Sequence, residues 1–224
     1  LLPAGPYLRR LLAREKRRGE PEIALVPILC GRGGTAADIG ANRGVWTLAM
    51  ARCVETVWSF EPNPKMRAWL SRAAPRNARV RPEALAAAHG PAELMIPHRG
   101  RGYSNQGGTL SPLAAGASPG RVRIETAPLD AFDLQDLRMM KIDVEGAELG
   151  VLEGARETIA RCRPAMVIEI QQAHSGLTVD ETIAIVETYG YHAFILRDGA
   201  LRPARERNRA RPDEHIFNFT FLPR

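Results

Sequence analysis

Ala37-Asp38-Ile39-Gly40-Ala41-Asn42-Arg43-Gly44 joins an apolar run, Thr35 to Ile39, to an amphipathic stretch from Val45 to Ala51. The run has the length and character of a buried strand, the glycines mark a turn, and the following stretch has helical spacing. Gly40 and Gly44 allow a sharp turn and a close approach of backbone to a ligand. The spacing is G-x-x-x-G, with an acid two residues before the first glycine. A dinucleotide site wants G-x-G-x-x-G and sets a pyrophosphate on the helix N-terminus. An aspartate beside the turn repels a pyrophosphate but suits a ligand that carries an ammonium and a sulfonium. S-adenosylmethionine (SAM) is one such ligand.

The next apolar run, Glu55-Thr56-Val57-Trp58-Ser59-Phe60-Glu61-Pro62, reads as a second buried strand closed by its proline. Glu61 then stands at the carboxyl end of that strand, where open α/β sheets place their ligands. It follows Asp38 by about twenty residues, the spacing at which an acid meets ribose hydroxyls in such folds. A vicinal diol offers two donors, and one carboxylate accepts both. A helix is expected over Asn63 to Ala73 and a third strand over Val80 to Leu85, with Glu83 and Ala84 at its end facing an adenine edge. Glu93 to Ile96 reads as a short strand. Pro97 to Gly120 is rich in glycine, serine and proline, and a connection of that length without structure is usually a lid or a disordered segment. Its polar tip includes Tyr103, Ser104 and Asn105, and is expected to cover an acceptor site.

A second chemical centre is Met139-Met140-Lys141-Ile142-Asp143-Val144-Glu145-Gly146-Ala147-Glu148. A strand ends at Ile142, acids follow at 143, 145 and 148, and a helix is expected from Glu148 to about Ala160. The strand Pro164 to Ile170 carries a further acid, Glu169, and His174 lies just beyond. So many carboxylates on one rim are costly unless solvated, paired or bound. Thr178 to Tyr189 reads as a helix, and Tyr191 to Leu196 and Ile216 to Leu222 as closing strands. Strand-helix alternation through five strands implies a parallel sheet with right-handed crossovers.

The chain has 224 residues, enough for one α/β domain with additions, and 45% hydrophobic residues, enough for a full core. The expected division is a basic N-terminal helical extension over 1–22 and one domain over 23–224. No apolar run approaches the roughly 20 residues that cross a bilayer. The first residue is Leu1, so a processed or trimmed start is expected. Three cysteines without metal or pairing spacing fit a reducing compartment, and a cytoplasmic location is expected. The formal charge of +6 gathers in Arg9 to Arg18 and in Arg202 to Arg211. Neither cluster interleaves aromatics as a single-strand surface does, so a nucleic-acid partner is not favoured.

Three segments, Asp38-Ile39-Gly40-Ala41-Asn42-x-Gly44, Phe60-Glu61-Pro62-Asn63-Pro64 and Lys141 to Glu148, closely resemble the FkbM-type SAM-dependent methyltransferases. Val151-Leu152-x-Gly154-Ala155 and Val167-Ile168-Glu169 are similar to that family as well. The resemblance spans roughly Glu22 to Pro223. It implies the class I methyltransferase fold, a seven-stranded, mostly parallel sheet with helices on both faces and the last strand antiparallel. It also implies methylation of hydroxyl oxygens, often on sugars or natural products. Ala86-Ala87 departs from the Gly-Asp that the family often carries, which bears on the adenine side.

The expected cofactor is therefore SAM, its methionine end at Asp38, Gly40, Asn42 and Gly44, its ribose at Glu61 beside Pro62, its adenine near Glu83 and Ala84. Asp143 is the expected base, with Glu145 and His174 as rivals. Neighbouring carboxylates raise one another's pKa, which favours a base active near neutrality. Tyr103, Ser104, Asn105, Glu148 and Glu169 are expected on the side of a small-molecule or glycan acceptor. No metal site is assigned, although an acid cluster with all-oxygen ligands is also a way to hold a divalent cation. The alternatives are a nucleic-acid methyltransferase, for which Ile142-Asp143-Val144-Glu145-Gly146 is the wrong motif, and a non-catalytic SAM-binding module.

Overall fold

Parallel neighbours in a sheet cannot be joined by a tight turn and need a crossover, so alternating strands and helices wind a sheet with two covered faces. The computed structural model describes residues 4–99, 102–103, 108–111, 120–209 and 216–224. The first part of the chain forms α1 (Ala4–Arg18), α2 (Val26–Cys30), β1 (Thr35–Ile39), α3 (Val45–Met50), β2 (Thr56–Phe60), α4 (Pro64–Ala73), β3 (Ala78–Arg81), β4 (Ala84–Leu85) and β5 (Gly90–Ile96). Then come β6 (His98–Arg99), β7 (Gly102–Tyr103), β8 (Gly120–Ala127), β9 (Leu137–Ile142), α5 (Glu148–Glu153), α6 (Arg156–Cys162) and β10 (Ala165–Glu169). The chain closes with α7 (Gln172–Ser175), α8 (Val179–Glu187), β11 (Tyr191–Arg197), β12 (Ala200–Pro203) and β13 (Asn218–Pro223).

The main sheet is eight-stranded in the order β12-β11-β13-β10-β9-β1-β2-β3. β3, β2, β1, β9 and β10 pair in parallel, while β13 runs antiparallel to both β10 and β11. The expected seven strands are present with the last one antiparallel, and β12 adds an eighth at the edge. Its hairpin turns at Asp198 and Gly199, both in the left-handed region that a two-residue connection requires.

Side chains alternate across the sheet and bury two layers. Ala36, Val57, Met139 and Val167 meet α1, α2 and α3 through Leu12, Val26, Trp46 and Met50. Ala37, Ile39, Met140, Ile142 and Ile168 meet Val151, Leu152, Ile159 and Val186 on the other face. α1 is held on α3 and α4 by buried Leu8 and Leu12 and by the Tyr7 ring set edge-on to Trp69 at 5.9 Å. No helix among the described residues is long and apolar enough to cross a membrane.

Three local expectations differ from the structure. The strand expected over Val80 to Leu85 divides at Pro82, which has no N–H to give to a ladder. β3 stays in the main sheet, whereas β4 joins β8 and β5 in a separate three-stranded sheet. The helix expected from Glu148 to Ala160 is two helices broken at Gly154-Ala155. A Cβ on Gly154 would overlap the carbonyl oxygen of Ala86, so the chain bends where two backbones touch. The stretch 97–120 is not structureless throughout: β6 pairs with β7, Met95 bridges to Thr109, and Gly120 opens β8. Ser104 and Asn105 lie outside the described residues, as does the side chain of Tyr103.

Candidate active site

The sheet register brings the chemistry together. Ile39 pairs with Phe60 on one side and Ile142 on the other, and Ile142 pairs with Ile168. The residues that follow, Gly40, Glu61, Asp143 and Glu169, therefore form one row across four adjacent strand tips. Asp38 and Lys141 are partners two positions before Gly40 and Asp143. Asp38, Glu61, Lys141, Asp143, Glu145 and Glu169 all line a cavity of about 470 Å³ at this carboxyl edge, within the usual range for a small-ligand site.

Glu61 is 5% exposed and receives two backbone N–H groups, Asn42 on Oε2 at 2.6 Å and Asn63 on Oε1 at 2.8 Å. Burial pushes its pKa up to about 7 against those bonds. Asp38 accepts the Thr47 hydroxyl at 2.5 Å, tying the strand tip to the first turns of α3, and burial pushes it up to about 6. Asn42 has φ +48° and its buried Oδ1 has no hydrogen-bond partner among the described residues. Asn42, Pro62, Glu83 and Ala84 line the same cavity. Glu83 is ion-paired with Arg81 at 2.6 Å.

Gly40 needs its lack of a side chain for a reason internal to the protein. With φ +82°, a Cβ there would overlap the carbonyl oxygen of Asp143, so the two strand-end turns pack backbone on backbone. Gly44 also has a left-handed φ of +80°, but a Cβ there would meet only the end of the Leu70 side chain. Gly40→Ala is expected to cost at least about 2 kcal/mol, from left-handed strain plus the clash. A melting curve should show a drop of roughly 4–8 °C for a domain of this size, and an unchanged curve would refute the crowding.

Asp143 and Glu145 are on the cavity wall, and so is Glu169, which burial and then the Asp143 charge push up to about 8. His174, a rival for the base, and Glu148, expected on the acceptor side, are not among the cavity-lining residues. His174 Nδ1 lies 2.8 Å from Glu145 Oε2, and the Glu148 carboxylate accepts the Gly146 N–H at 2.9 Å. Both brace the 145–146 turn. That turn has Glu145 at φ +53°, and Thr109 donates to the Glu145 carbonyl at 2.5 Å. Among the described residues no group of three His, Cys, Asp or Glu side chains is set to hold a metal ion.

Sequence reasoning assigned no role to Lys141, Asn218, Trp46 or Glu20. Lys141 is 1% exposed and donates to Asn218 Oδ1 at 2.9 Å, with Asp143 Oδ2 at 4.0 Å and the Trp46 ring at 5.5 Å. Burial alone would lower its pKa, but Asp143, Glu20, Glu169 and Asp38 together raise it. A lysine within the apolar run Met139 to Ile142, two residues before an acid, was the available signal. Glu20 had no local signal, because its partner, the Trp46 indole N–H at 2.7 Å, comes from another element.

A family model described as the methyltransferase FkbM domain matches residues 38–193. No curated protein gives a significant match. Among solved structures, a methyltransferase FkbM from Methylobacillus flagellatus aligns with TM-score 0.51 and 16% identity over 85% of this chain. The present chain spans only 43% of that protein. A TehB-like SAM-dependent methyltransferase from Corynebacterium glutamicum aligns with TM-score 0.50 and 13% identity over 99% of this chain and 98% of its own. SMU.1697c from Streptococcus mutans, solved in complex with S-adenosylhomocysteine (SAH), aligns with TM-score 0.51 and 8% identity over 91% and 96%. At such identities the likeness is one of fold.

Proposed function

The chain belongs to the FkbM methyltransferase family, and from that premise we propose that it transfers the methyl group of SAM to a hydroxyl oxygen of a sugar, glycolipid or natural-product acceptor. The observation that carries this reading is the row of strand tips, which sets Glu61, the Asp38 turn and Asp143 side by side on one cavity. The residues fit a cationic nucleoside. Asp38 and Glu61 are acidic acceptors on the wall of a cavity of suitable volume, and beside them Asn42 Oδ1 is a buried acceptor with no donor among the described residues. SAM, when bound, supplies an electrophilic methyl on a sulfonium.

The chain's own groups divide the remaining work. The 38–44 turn and Asn42 receive the amino-acid end, Glu61 beside Pro62 takes the ribose hydroxyls, and Glu83 and Ala84 border the base. Asp143 takes the proton of the acceptor hydroxyl, because an alcohol is a poor nucleophile until that proton leaves. His174 holds Glu145 in place, and Glu148 braces the turn beneath it. Glu169 sits next to Asp143 on the acceptor side, with Tyr103, Ser104 and Asn105 assigned to its cover. The catalytic domain runs from 23 to 224, with 1–22 as an extension upon it. The deciding experiment is a labelled-methyl transfer screen across glycan, lipid and polyketide extracts; SAH binding without label in any extract would leave a binding module instead.

Glu61→Ala is expected to weaken SAH binding about 10- to 100-fold by calorimetry, the scale of losing bonds to a charged acceptor. Because the Glu61 pKa is about 7, its carboxylate, and with it SAH affinity, should increase as pH rises from 6 to 8. Equal affinity in the variant would take the ribose role away from Glu61.

A further inference from the structure

Thr109 is 1% exposed, and each of its polar atoms is bonded. Its N–H and carbonyl pair with Met95 of β5 at 2.9 Å each. Its hydroxyl oxygen accepts the Ser111 N–H at 2.8 Å, so the hydroxyl proton is left for the Glu145 carbonyl. Ser111 Oγ donates in turn to the His174 carbonyl at 2.7 Å, and His174 Nδ1 meets the Glu145 carboxylate. Thr109, Glu145, His174 and Ser111 thus close a ring of bonds. Gly108 and Leu110, on either side of Thr109, line the cavity together with Asp143, Val144 and Glu145.

The turn held by that ring is one a chain does not adopt unaided. Glu145 has φ +53° and Gly146 φ +103°, and a residue with a side chain stays in the left-handed region only where its surroundings over-determine it. A Cβ on Gly146 would overlap the His174 carbonyl and crowd Ser111 Cβ, so the turn is seated against the same two residues. Resting on the methyl-transfer reading, we propose that Thr109 is a positioning residue for that reaction. Its hydroxyl fixes the Glu145 carbonyl, and with it the path by which Asp143-Val144-Glu145 leaves β9 along the cavity wall. Asp143 is anchored before it by its own N–H on the Ile39 carbonyl at 3.0 Å, and Thr109 supplies the anchor two residues later. In-line transfer tolerates little displacement, since a misplacement of about 1 Å costs on the order of 10²-fold in rate. The carboxylates of Asp38 and Glu61 are bonded to Thr47, Asn42 and Asn63 and not to Thr109, so cofactor binding does not depend on this hydroxyl.

Thr109→Val, nearly isosteric, should slow single-turnover methyl transfer about 10- to 100-fold at saturating SAM, with SAH affinity within about threefold of wild type. Thr109→Ser keeps the hydroxyl and should restore the rate to within about threefold. Thr182→Val is the control. Its hydroxyl is likewise buried and donates to a backbone carbonyl, that of Thr178 at 3.1 Å, but it belongs to α8 and does not line the cavity. That variant should melt lower and still transfer at the wild-type rate. A further readout needs no acceptor: the Gly146 amide, bonded to Glu148, should exchange its hydrogen faster in Thr109→Val than in Thr109→Ser. If Thr109→Val does not fold, Ser111→Ala, which removes the bond to the His174 carbonyl, should slow transfer in the same sense. The proposal is overturned by a folded variant at full rate, by equal amide exchange in the two Thr109 variants, or by a rate loss that serine does not restore. A loss of rate and SAH affinity in equal measure, or an equal rate loss in Thr182→Val, overturns it as well. If wild type binds SAH but labels no extract, the transfer reading falls and this inference with it; an active wild type matched by Thr109→Val overturns this inference alone.

Discussion

Asp143→Asn is expected to slow methyl transfer about 10²- to 10⁴-fold, the usual worth of a positioned general base, while SAH affinity stays within about threefold. Asparagine keeps the shape and leaves the backbone contact in place, in which the Asp143 N–H donates to the Ile39 carbonyl at 3.0 Å. It removes the ability to accept and carry a proton, together with one of the negative charges that face Lys141. Asp143 stands beside Gly40 and between Glu61 and Glu169 in the row of strand tips, so a hydroxyl facing the cofactor end of the cavity comes within its reach. Single-turnover transfer on an acceptor fraction found by the screen, with calorimetry on SAH, separates chemistry from binding. Full activity in the variant would move the base role to Glu145 or Glu169, and Glu145→Gln and Glu169→Gln would decide between them.

Lys141→Met should have the largest effect on stability. Methionine keeps most of the volume and none of the charge, so the variant leaves Asp38, Asp143, Glu20 and Glu169 without the cation that all four face. Removing one partner of a buried charged group costs about 3–5 kcal/mol, or roughly 6–20 °C in melting temperature for a domain of this size. The deficit should depend on pH in a definite sense. Asp38 goes from 3.8 to about 6 on folding, and Glu169 from 4.5 to about 8, chiefly through burial. A carboxyl raised in this way binds more protons folded than unfolded, so its contribution falls as pH rises from its ordinary value through the raised one. Lys141 has its own pKa raised, so the stability it supplies is full below its ordinary 10.5 and is lost only above it. Wild type keeps that offset throughout the window in which the acids ionise, and the variant does not. The gap between the two should therefore be wider at pH 8 than at pH 5.5. Melting curves at both values test this, and a gap that narrows with rising pH would refute the account.

Several elements were legible because their signals are local. Thr35 to Ile39 is a short apolar run that ends in a glycine turn, and the structure places β1 on the same residues. Asn63-Pro64 announces a helix start, and Asn63 does cap α4, accepting the Lys65 and Met66 N–H groups. Asp198-Gly199 is an equally local signal for a hairpin, and it accounts for the edge strand β12 that the sequence reading passed over. Pro82 likewise carried the break between β3 and β4. The acids at 61, 143 and 169, and Asp38 next to the end of its strand, were visible only as separate strand ends.

What the sequence by itself determined is which residues stand at the ends of strands, since periodicity, prolines and glycines act within a few residues of where they occur. Only the tertiary structure decided which of those ends are neighbours and what surrounds them. Sheet register joins Ile39, Phe60, Ile142 and Ile168 across more than a hundred residues of chain, and it alone turns four acids into one wall. The same holds for Lys141 with Asn218 and for Glu20 with Trp46. Charge interactions depend on separation in space and on burial, and neither is written in the order of the residues.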